Sequence, residues 1–213
     1  MVRKLTKFET SNKVEENIVI ILRGGTGVGK TTIAKLLAQK LKRSVHVEQD
    51  ILRYMIVNGL VASRTSLQPG ANPKEYQRQC RLGDKNTIDL TKNFLKAGFN
   101  VIIDGFNGGE SGDIFYYLKN LNKIKWYPNE KYLKSELPGI KIFQVILDTK
   151  EKVLVERLRN VKNWDEEVIS FILKQREIFL TSIKQAKIDL FIDTSESDVT
   201  KTVAMILSKI RNG

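Results

Sequence analysis

The sequence has a single cysteine, Cys80, and a single histidine, His46, among its 213 residues. One cysteine excludes an internal disulfide and any cluster of cysteine metal ligands, and one histidine argues against histidine-based metal sites and Ser-His-Asp hydrolysis. No apolar run approaches the roughly 18 residues that a membrane helix needs, and residues 1–17 lack the apolar segment of a signal peptide. We therefore expect a soluble cytoplasmic protein with no membrane partner.

Acidic residues are scarce relative to basic ones. The chain has 36 Lys and Arg against 24 Asp and Glu, which gives a formal net charge of +12. Such an excess attracts polyanions such as nucleic acid or phosphorylated metabolites. The lysines are spread along the whole chain, however, as they also are in basic proteins that bind only a nucleotide. Charge alone therefore makes nucleic acid a candidate partner without establishing it.

Apolar segments rich in β-branched residues alternate with amphipathic helical patterns. The predicted strands are residues 18–22, 45–47, 101–103, 140–147 and 190–192. Short apolar runs are typical of strands covered on both faces, and strands that alternate with helices imply right-handed βαβ crossovers. The pattern predicts an α/β fold: a three-layer sandwich with a five-stranded, mainly parallel doubly wound sheet and helices on both faces, in one domain over residues 1–213.

A glycine-rich motif follows the first predicted strand. Residues 24–31, GGTGVGKT, match G-x-x-x-x-G-K-[ST] at every fixed position and predict a P-loop NTPase. Glycines let the backbone curve around a phosphate, so that its N–H groups and the next helix N-terminus face the phosphate oxygens. Lys30 is expected to reach the β- and γ-phosphates of ATP, and the Thr31 hydroxyl to hold Mg²⁺. The predicted nucleotide-binding residues here are Gly25, Thr26, Gly27, Val28, Gly29, Lys30, Thr31 and Thr32.

The end of the second strand carries polar residues suited to a hydroxyl acceptor. Alternation along a strand places Glu48 and Asp50 on one side, near the carboxyl end. Asp50 can accept the proton of an incoming hydroxyl group, and Arg53 can hold an anionic part of the acceptor. Glu48 can orient the acceptor or hold Mg²⁺ through water.

The third predicted strand delivers a carboxylate, Asp104, to the same edge of the sheet. Apolar residues that end in Asp have the form of a Walker-B element, which holds Mg²⁺ directly or through its water shell. Asn107, in the following glycine-rich turn, is a candidate contact to the acceptor.

Together these motifs resemble the P-loop kinases that include polynucleotide 5′-hydroxyl kinases, zeta-toxin-type sugar-nucleotide kinases and chloramphenicol phosphotransferase. The resemblance implies that Asp50 is the catalytic carboxylate and that Arg53 binds the acceptor. It also implies that the turn after the last strand, with Thr194, borders the adenine. Relatives of this kind close an arginine-bearing lid, and residues 157–164 occupy that place, with Arg157 and Arg159 as candidate catalytic cations beside Lys30.

Residues 58–81, between the second helix and the third strand, form a candidate acceptor-binding insertion, with Arg78 and Arg81 as candidate ligands. The expected reaction is transfer of the γ-phosphoryl group of Mg-ATP to a hydroxyl group. The basic charge places the 5′-hydroxyl of RNA or DNA slightly ahead as the acceptor, and a small molecule such as a nucleoside, sugar nucleotide or antibiotic is the alternative. A non-catalytic ATP-binding module is a third alternative, since a P-loop alone does not distinguish these classes.

Overall fold

A central sheet of five strands organises the computed structural model, which describes residues 17–61, 72–106, 130–184, 188–196 and 198–212. The strands are β1 (Ile18–Arg23), β2 (Ser44–Glu48), β3 (Asn100–Asp104), β4 (Lys141–Asp148) and β5 (Leu190–Asp193). Their order in the sheet is β2-β3-β1-β4-β5, and every neighbouring pair is parallel. The five predicted strands are all confirmed, and each end of each strand lies within one residue of its predicted position.

Helices cover both faces of this sheet. In the described part of the chain they are α1 (Lys30–Lys40), α2 (Gln49–Tyr54), α3 (Pro73–Lys96), α4 (Glu130–Glu136), α5 (Glu151–Asn160), α6 (Glu166–Ile183) and α7 (Val199–Asn212). Helices α1 and α7 pack on one face, and α3, α4 and α6 pack on the other. The predicted three-layer α/β sandwich is thereby confirmed.

The middle strand, β1, shows why the sheet is buried on both sides. Its residues alternate in direction, so Ile20 and Leu22 join the core under α1 and α7, whereas Val19 and Ile21 join the core under α3 and α4. All four are fully buried. Arg23 is two residues after Ile21 and projects to the same side of β1, so it emerges on the face that α3 and α6 cover.

Parallel register brings the carboxyl ends of three strands to one edge. Leu22 of β1 and Glu48 of β2 are both paired in register with Asp104 of β3. The P-loop starts just after β1, and α2 starts directly after β2. Ligands of doubly wound sheets bind at this edge, so the fold assembles the predicted motifs where they can act together.

The predicted acceptor-binding insertion is not a separate unit at its C-terminal end. Helix α3 begins at Pro73, capped by the Asn72 side chain, which accepts a hydrogen bond from the Glu75 N–H. Residues 73–81 are therefore the N-terminal part of a 24-residue helix that packs on the sheet. Of the proposed insertion, residues 62–71 lie outside the described residues.

None of the helices in the described segments combines the length and the apolar composition needed to cross a membrane.

Candidate active site

The P-loop leaves no room for a side chain at two of its glycines, Gly24 and Gly27. Gly24 has φ +151°, and a Cβ there would lie 2.2 Å from the carbonyl oxygen of Leu147 in β4. Gly27 has φ +88°, and its Cβ would come within 2.8 Å of Leu154 in α5. The loop is thus pressed between β4 and α5, and a side chain at either glycine would displace it.

Two cavities open along this edge of the sheet. One, of about 540 Å³, surrounds the P-loop and the start of α1, and we call it the donor cavity. The other, of about 660 Å³, lies between α2, α3 and α6, and we call it the acceptor cavity. The residues that line both cavities are Thr26, Lys30, Asp50, Gly105 and Lys162. The cavities therefore meet at the P-loop lysine and the predicted catalytic carboxylate.

The P-loop residues and the start of α1 line the donor cavity as the motif predicts. Gly29 caps α1 in a left-handed conformation without a side-chain hydrogen bond, which leaves the helix N-terminus to a ligand. The Lys30 Nζ donates a hydrogen bond to the Gly25 carbonyl at 3.0 Å and so lies folded over the loop. Residues 26–33 all contribute to the cavity wall.

An oxygen-rich cluster suited to Mg²⁺ lies at the base of the donor cavity. The Thr31 hydroxyl donates to the Asp104 carboxylate at 2.6 Å, and potential ligand atoms of His46, Glu48 and Asp104 lie within 4.8 Å of one another. The His46 Nε2 is 3.8 Å from Asp104, which is longer than a hydrogen bond. Hydroxyl and carboxylate oxygens are the ligands that Mg²⁺ prefers, so Thr31, Asp104 and Glu48 fit this ion.

The Asp104 carboxyl stays ionised despite its burial. Burial raises its pKa, but His46, the Lys30 ammonium and the hydrogen bond from Thr31 outweigh burial and hold the pKa below its ordinary value. An ionised carboxylate is the form that a divalent cation binds.

Thr194 and Arg157 form the far wall of the donor cavity. Thr194 is 4% exposed, and its hydroxyl lies 3.1 Å from the carbonyl of Val28 and 3.0 Å from that of Asp148. Arg157 donates to the Thr194 carbonyl at 2.8 Å. Thr194 therefore connects the end of β5 to the P-loop, and Arg157 is held beside Thr194 in the cavity wall.

The acceptor cavity combines cations with aromatic rings. Arg53 is 8% exposed, and its guanidinium lies 5.4 Å from the ring centre of Tyr54 and 5.2 Å from that of Tyr76. Asp50 is exposed, one turn before Arg53 on α2, and faces the junction of the cavities. Further aromatic residues in the wall are Phe106, Trp164, Phe171 and Phe179.

Three predicted arginines lie outside both cavities. Arg159 is exposed and pairs with Glu166, because it is two positions from Arg157 and so projects from nearly the opposite side of α5. Arg78 and Arg81 are exposed on α3, whose residues Tyr76 and Cys80 face the cavity instead. The structure does not bring these three arginines to the site, and Asn107 lies outside the described residues.

The proposed lid contributes through other residues. Residues 157–164 are the last turn of α5 and the link to α6, and Lys162, Asn163 and Trp164 of this link line the acceptor cavity. Lys162 also lines the donor cavity, so it is the cation of this segment that reaches the junction.

Arg176 of α6 forms an ion pair with a buried carboxylate, Asp148, that the sequence motifs did not predict. It donates to both Asp148 carboxylate oxygens at 2.8 Å and to the Thr149 carbonyl at 2.9 Å. The hydrogen bond to the Asp148 carboxylate is the main reason that the pKa of Arg176 is raised, and the Asp148 charge adds to it against the effect of burial. A Cβ at Gly25 would lie 3.8 Å from the Arg176 Cβ, so Arg176 packs beside the P-loop.

We expect Arg176→Met to lower the free energy of unfolding by about 3 kcal/mol, because it leaves the buried Asp148 charge without its partner. Chemical denaturation monitored by circular dichroism will measure the difference. The double variant Arg176→Met/Asp148→Asn should recover part of the loss, since it removes the unpaired charge as well. Arg159→Met, which breaks the exposed pair with Glu166, is the matched control and should change stability little. Equal losses for the two single variants would refute a special role for the buried pair.

The P-loop, the parallel strand order and the layered helices define a P-loop NTPase fold of the kind found in kinases. A family model described as an AAA domain matches residues 19–109, which include the P-loop and Asp104. Among curated proteins, none matches the chain significantly.

Solved structures of kinases share the fold at low sequence identity. Thymidylate kinase from Candida albicans is 14% identical with a TM-score of 0.61, covering 92% of each chain. Shikimate kinase from Acinetobacter baumannii, in complex with shikimate, is 18% identical with a TM-score of 0.56, covering 92% of this chain and 94% of the other. The APS kinase of Mycobacterium tuberculosis, in complex with AMPPNP and APS, is 14% identical with a TM-score of 0.53, covering 92% and 98%.

Proposed function

We propose that the chain is a kinase that transfers the γ-phosphoryl group of ATP to a hydroxyl group of a small molecule. The observation that carries the proposal is the meeting of the donor and acceptor cavities at Lys30 and Asp50. A non-catalytic nucleotide-binding module would have no use for a second cavity of about 660 Å³ that opens onto its P-loop.

In the proposed reaction, the acceptor oxygen forms a bond to the γ-phosphorus while the bond from that phosphorus to the bridging oxygen of ADP breaks. Asp50 accepts the proton of the attacking hydroxyl, or holds that hydroxyl in line with the phosphorus. Lys30 and Lys162 stabilise the negative charge on the transferring group. Arg157, which donates to the Thr194 carbonyl, holds the nucleoside side of ATP together with Thr194.

Thr31, Asp104 and Glu48 would hold Mg²⁺, which supplies electrostatic stabilisation of the phosphate oxygens. Their hydroxyl and carboxylate oxygens line the donor cavity beside the P-loop. Around that ion, the chain itself supplies the backbone N–H groups of the P-loop and the N-terminus of α1.

The size and lining of the acceptor cavity support a small-molecule acceptor. Its volume is within the range of pockets that enclose metabolites and cofactors. Tyr76, Phe171 and Phe179 line it with aromatic rings, and Arg53 lines it with a cation that is itself buried. Such a cavity favours one compact molecule with an apolar or planar part.

The charge of +12 favours a second candidate acceptor, the 5′-hydroxyl of RNA or DNA. Arg78 and Arg81 would then contact the strand outside the cavity, because both are exposed on α3. Binding of this kind weakens steeply as salt rises, whereas a neutral small acceptor is affected little.

Transfer of label from γ-labelled ATP, with Mg²⁺, to a panel of acceptors tests the proposal. The panel holds nucleosides, nucleotides, sugars, sugar nucleotides, hydroxy acids and aminocyclitol antibiotics beside 5′-hydroxyl oligonucleotides. We expect label on a small molecule, with little effect of salt. Label on oligonucleotide ends that fades as salt rises would replace the small acceptor by nucleic acid. ATP binding without transfer to any acceptor would contradict the kinase assignment.

A further inference from the structure

Buried polar atoms without partners concentrate in the acceptor cavity. Within the described segments, four buried side-chain atoms have no hydrogen-bond partner: Nη1 and Nη2 of Arg23, Oε1 of Gln49 and Nε2 of His46. Three of these four atoms belong to Arg23 and Gln49, and both residues line the acceptor cavity. Buried polar groups in native proteins are nearly always paired, so such a concentration calls for a ligand.

Arg23 is fixed in place with its terminal nitrogens left over. The side chain is 3% exposed at the carboxyl end of β1. Its Nε donates to the Phe106 carbonyl at 3.1 Å, and its guanidinium lies 5.6 Å from the ring centre of Phe179. These contacts orient the planar group but use only one of its three nitrogens. Nη1 and Nη2 form a fork that has no hydrogen-bond partner among the described residues and is left for a ligand.

Arg23 keeps its charge in this position. Burial lowers the pKa of the guanidinium to about 9, although the nearby Asp84 charge raises it. It is therefore protonated at neutral pH. Asp84 accepts a hydrogen bond from Gln49 Nε2, and the Arg23 fork donates none to it.

The third unpartnered atom of this cavity, Gln49 Oε1, is an acceptor on the same cavity wall. The hydrogen bond from Gln49 Nε2 to Asp84 sets the orientation of this amide, because an ionised carboxylate can only accept. Oε1 is then left for a donor such as a ligand hydroxyl. The cavity wall also has four cations, Arg23, Lys30, Arg53 and Lys162, against two carboxylates, Asp50 and Asp165.

We propose that Arg23 is the anion-binding residue of the acceptor cavity, and that the acceptor is a small hydroxyl compound carrying a carboxylate or phosphate group. The role of this compound as phosphoryl acceptor rests on the proposed function, whereas the anion site is inferred from the geometry of Arg23 and Gln49 alone. The Arg23 fork holds two anion oxygens, Gln49 Oε1 accepts from a hydroxyl of the same molecule, and Asp50 receives the hydroxyl that reacts.

The anion site is tested by equilibrium dialysis of labelled inorganic phosphate against the full chain, loaded with Mg²⁺ and a non-hydrolysable ATP analogue that blocks the P-loop. We expect saturable binding of one phosphate per chain. Arg23→Met should weaken it by at least about tenfold. Arg211→Met removes the same charge from an exposed position in the last turn of α7, and it should bind phosphate like the parent.

Two readouts separate ligand binding from a structural role. The unliganded Arg23→Met chain should be folded and melt no lower than the parent. The substitution removes a buried charge whose two terminal nitrogens make no hydrogen bond. Absence of saturable phosphate binding in the parent, or equal binding by parent and Arg23→Met, would overturn the inference.

Matched acceptor pairs then distinguish this inference from the proposed function. Each pair differs only in its anionic group: a nucleoside against its 5′-monophosphate, and a hydroxy acid against its amide. Label transferred to the charged member alone supports the inference, and the pair that responds identifies phosphate or carboxylate. Equal transfer to both members overturns the inference but leaves the kinase standing, whereas phosphate binding without any transfer refutes the kinase and leaves the anion site.

Discussion

Lys30→Ala should reduce transfer of the γ-phosphoryl group by at least about a thousandfold. The Lys30 ammonium is the P-loop cation at the junction of the two cavities. It donates a hydrogen bond to the Gly25 carbonyl at 3.0 Å. When the γ-phosphate occupies the loop, this ammonium can turn to the oxygens on which charge develops. A preorganised charge that acts mainly in the transition state contributes to kcat more than to binding.

Single-turnover transfer from labelled ATP will measure the effect of Lys30→Ala, with the best acceptor from the panel. The variant should remain folded, because Lys30 is at the start of α1 and its hydrogen bond to Gly25 is local. Lys35→Ala removes an exposed lysine from the same helix and is the matched control. A rate for Lys30→Ala within tenfold of the control would show that charge stabilisation comes from elsewhere.

Asp50→Asn should lower the rate of transfer by about two to four orders of magnitude while leaving binding of an ATP analogue unchanged. The amide has almost the same size as the carboxylate but cannot accept the proton of the acceptor hydroxyl. Asp50 is the carboxylate that lines both cavities, so no other side chain of the shared wall can replace it. The loss should appear in kcat rather than in the KM for ATP.

The matched control is Asp89→Asn, which removes an exposed carboxylate from α3 that pairs with Lys85. It should transfer phosphate at the parent rate. Unimpaired turnover in Asp50→Asn would remove this residue from the mechanism, and a parallel loss of ATP binding would indicate that it positions the nucleotide instead.

Periodicity and one motif were enough to predict the fold. The five apolar runs correspond to five strands because β-branched residues between helical patterns have few alternatives to a covered parallel sheet. The P-loop, Thr31 and Asp104 come together because their positions follow from strand ends, and strand ends are set by the sheet register. Local patterns therefore determine this part of the site.

Side-chain direction on helices was harder to predict than position along the chain. Three arginines are in the expected segments but project away from the cavities: Arg78, Arg81 and Arg159. The rotation of each helix about its axis is set by which of its faces packs against the rest of the fold, and this packing is not evident from the position of an arginine in the sequence. Arg23 was missed for the opposite reason. In the sequence, Arg23 lies between an apolar run and the glycine-rich motif, where an exposed position is equally compatible. Its burial becomes evident only from the packing of Phe106 and Phe179 around it.

The common wall of the two cavities also defines how the site could be blocked. Because Thr26, Lys30, Asp50, Gly105 and Lys162 border both spaces, no partition separates the nucleotide from its acceptor. A single molecule that joins adenosine to an acceptor mimic through a chain of phosphates can therefore occupy both cavities at once. Such a bisubstrate inhibitor would gain the avidity of two tethered ligands, provided that its linker matches the span across the junction.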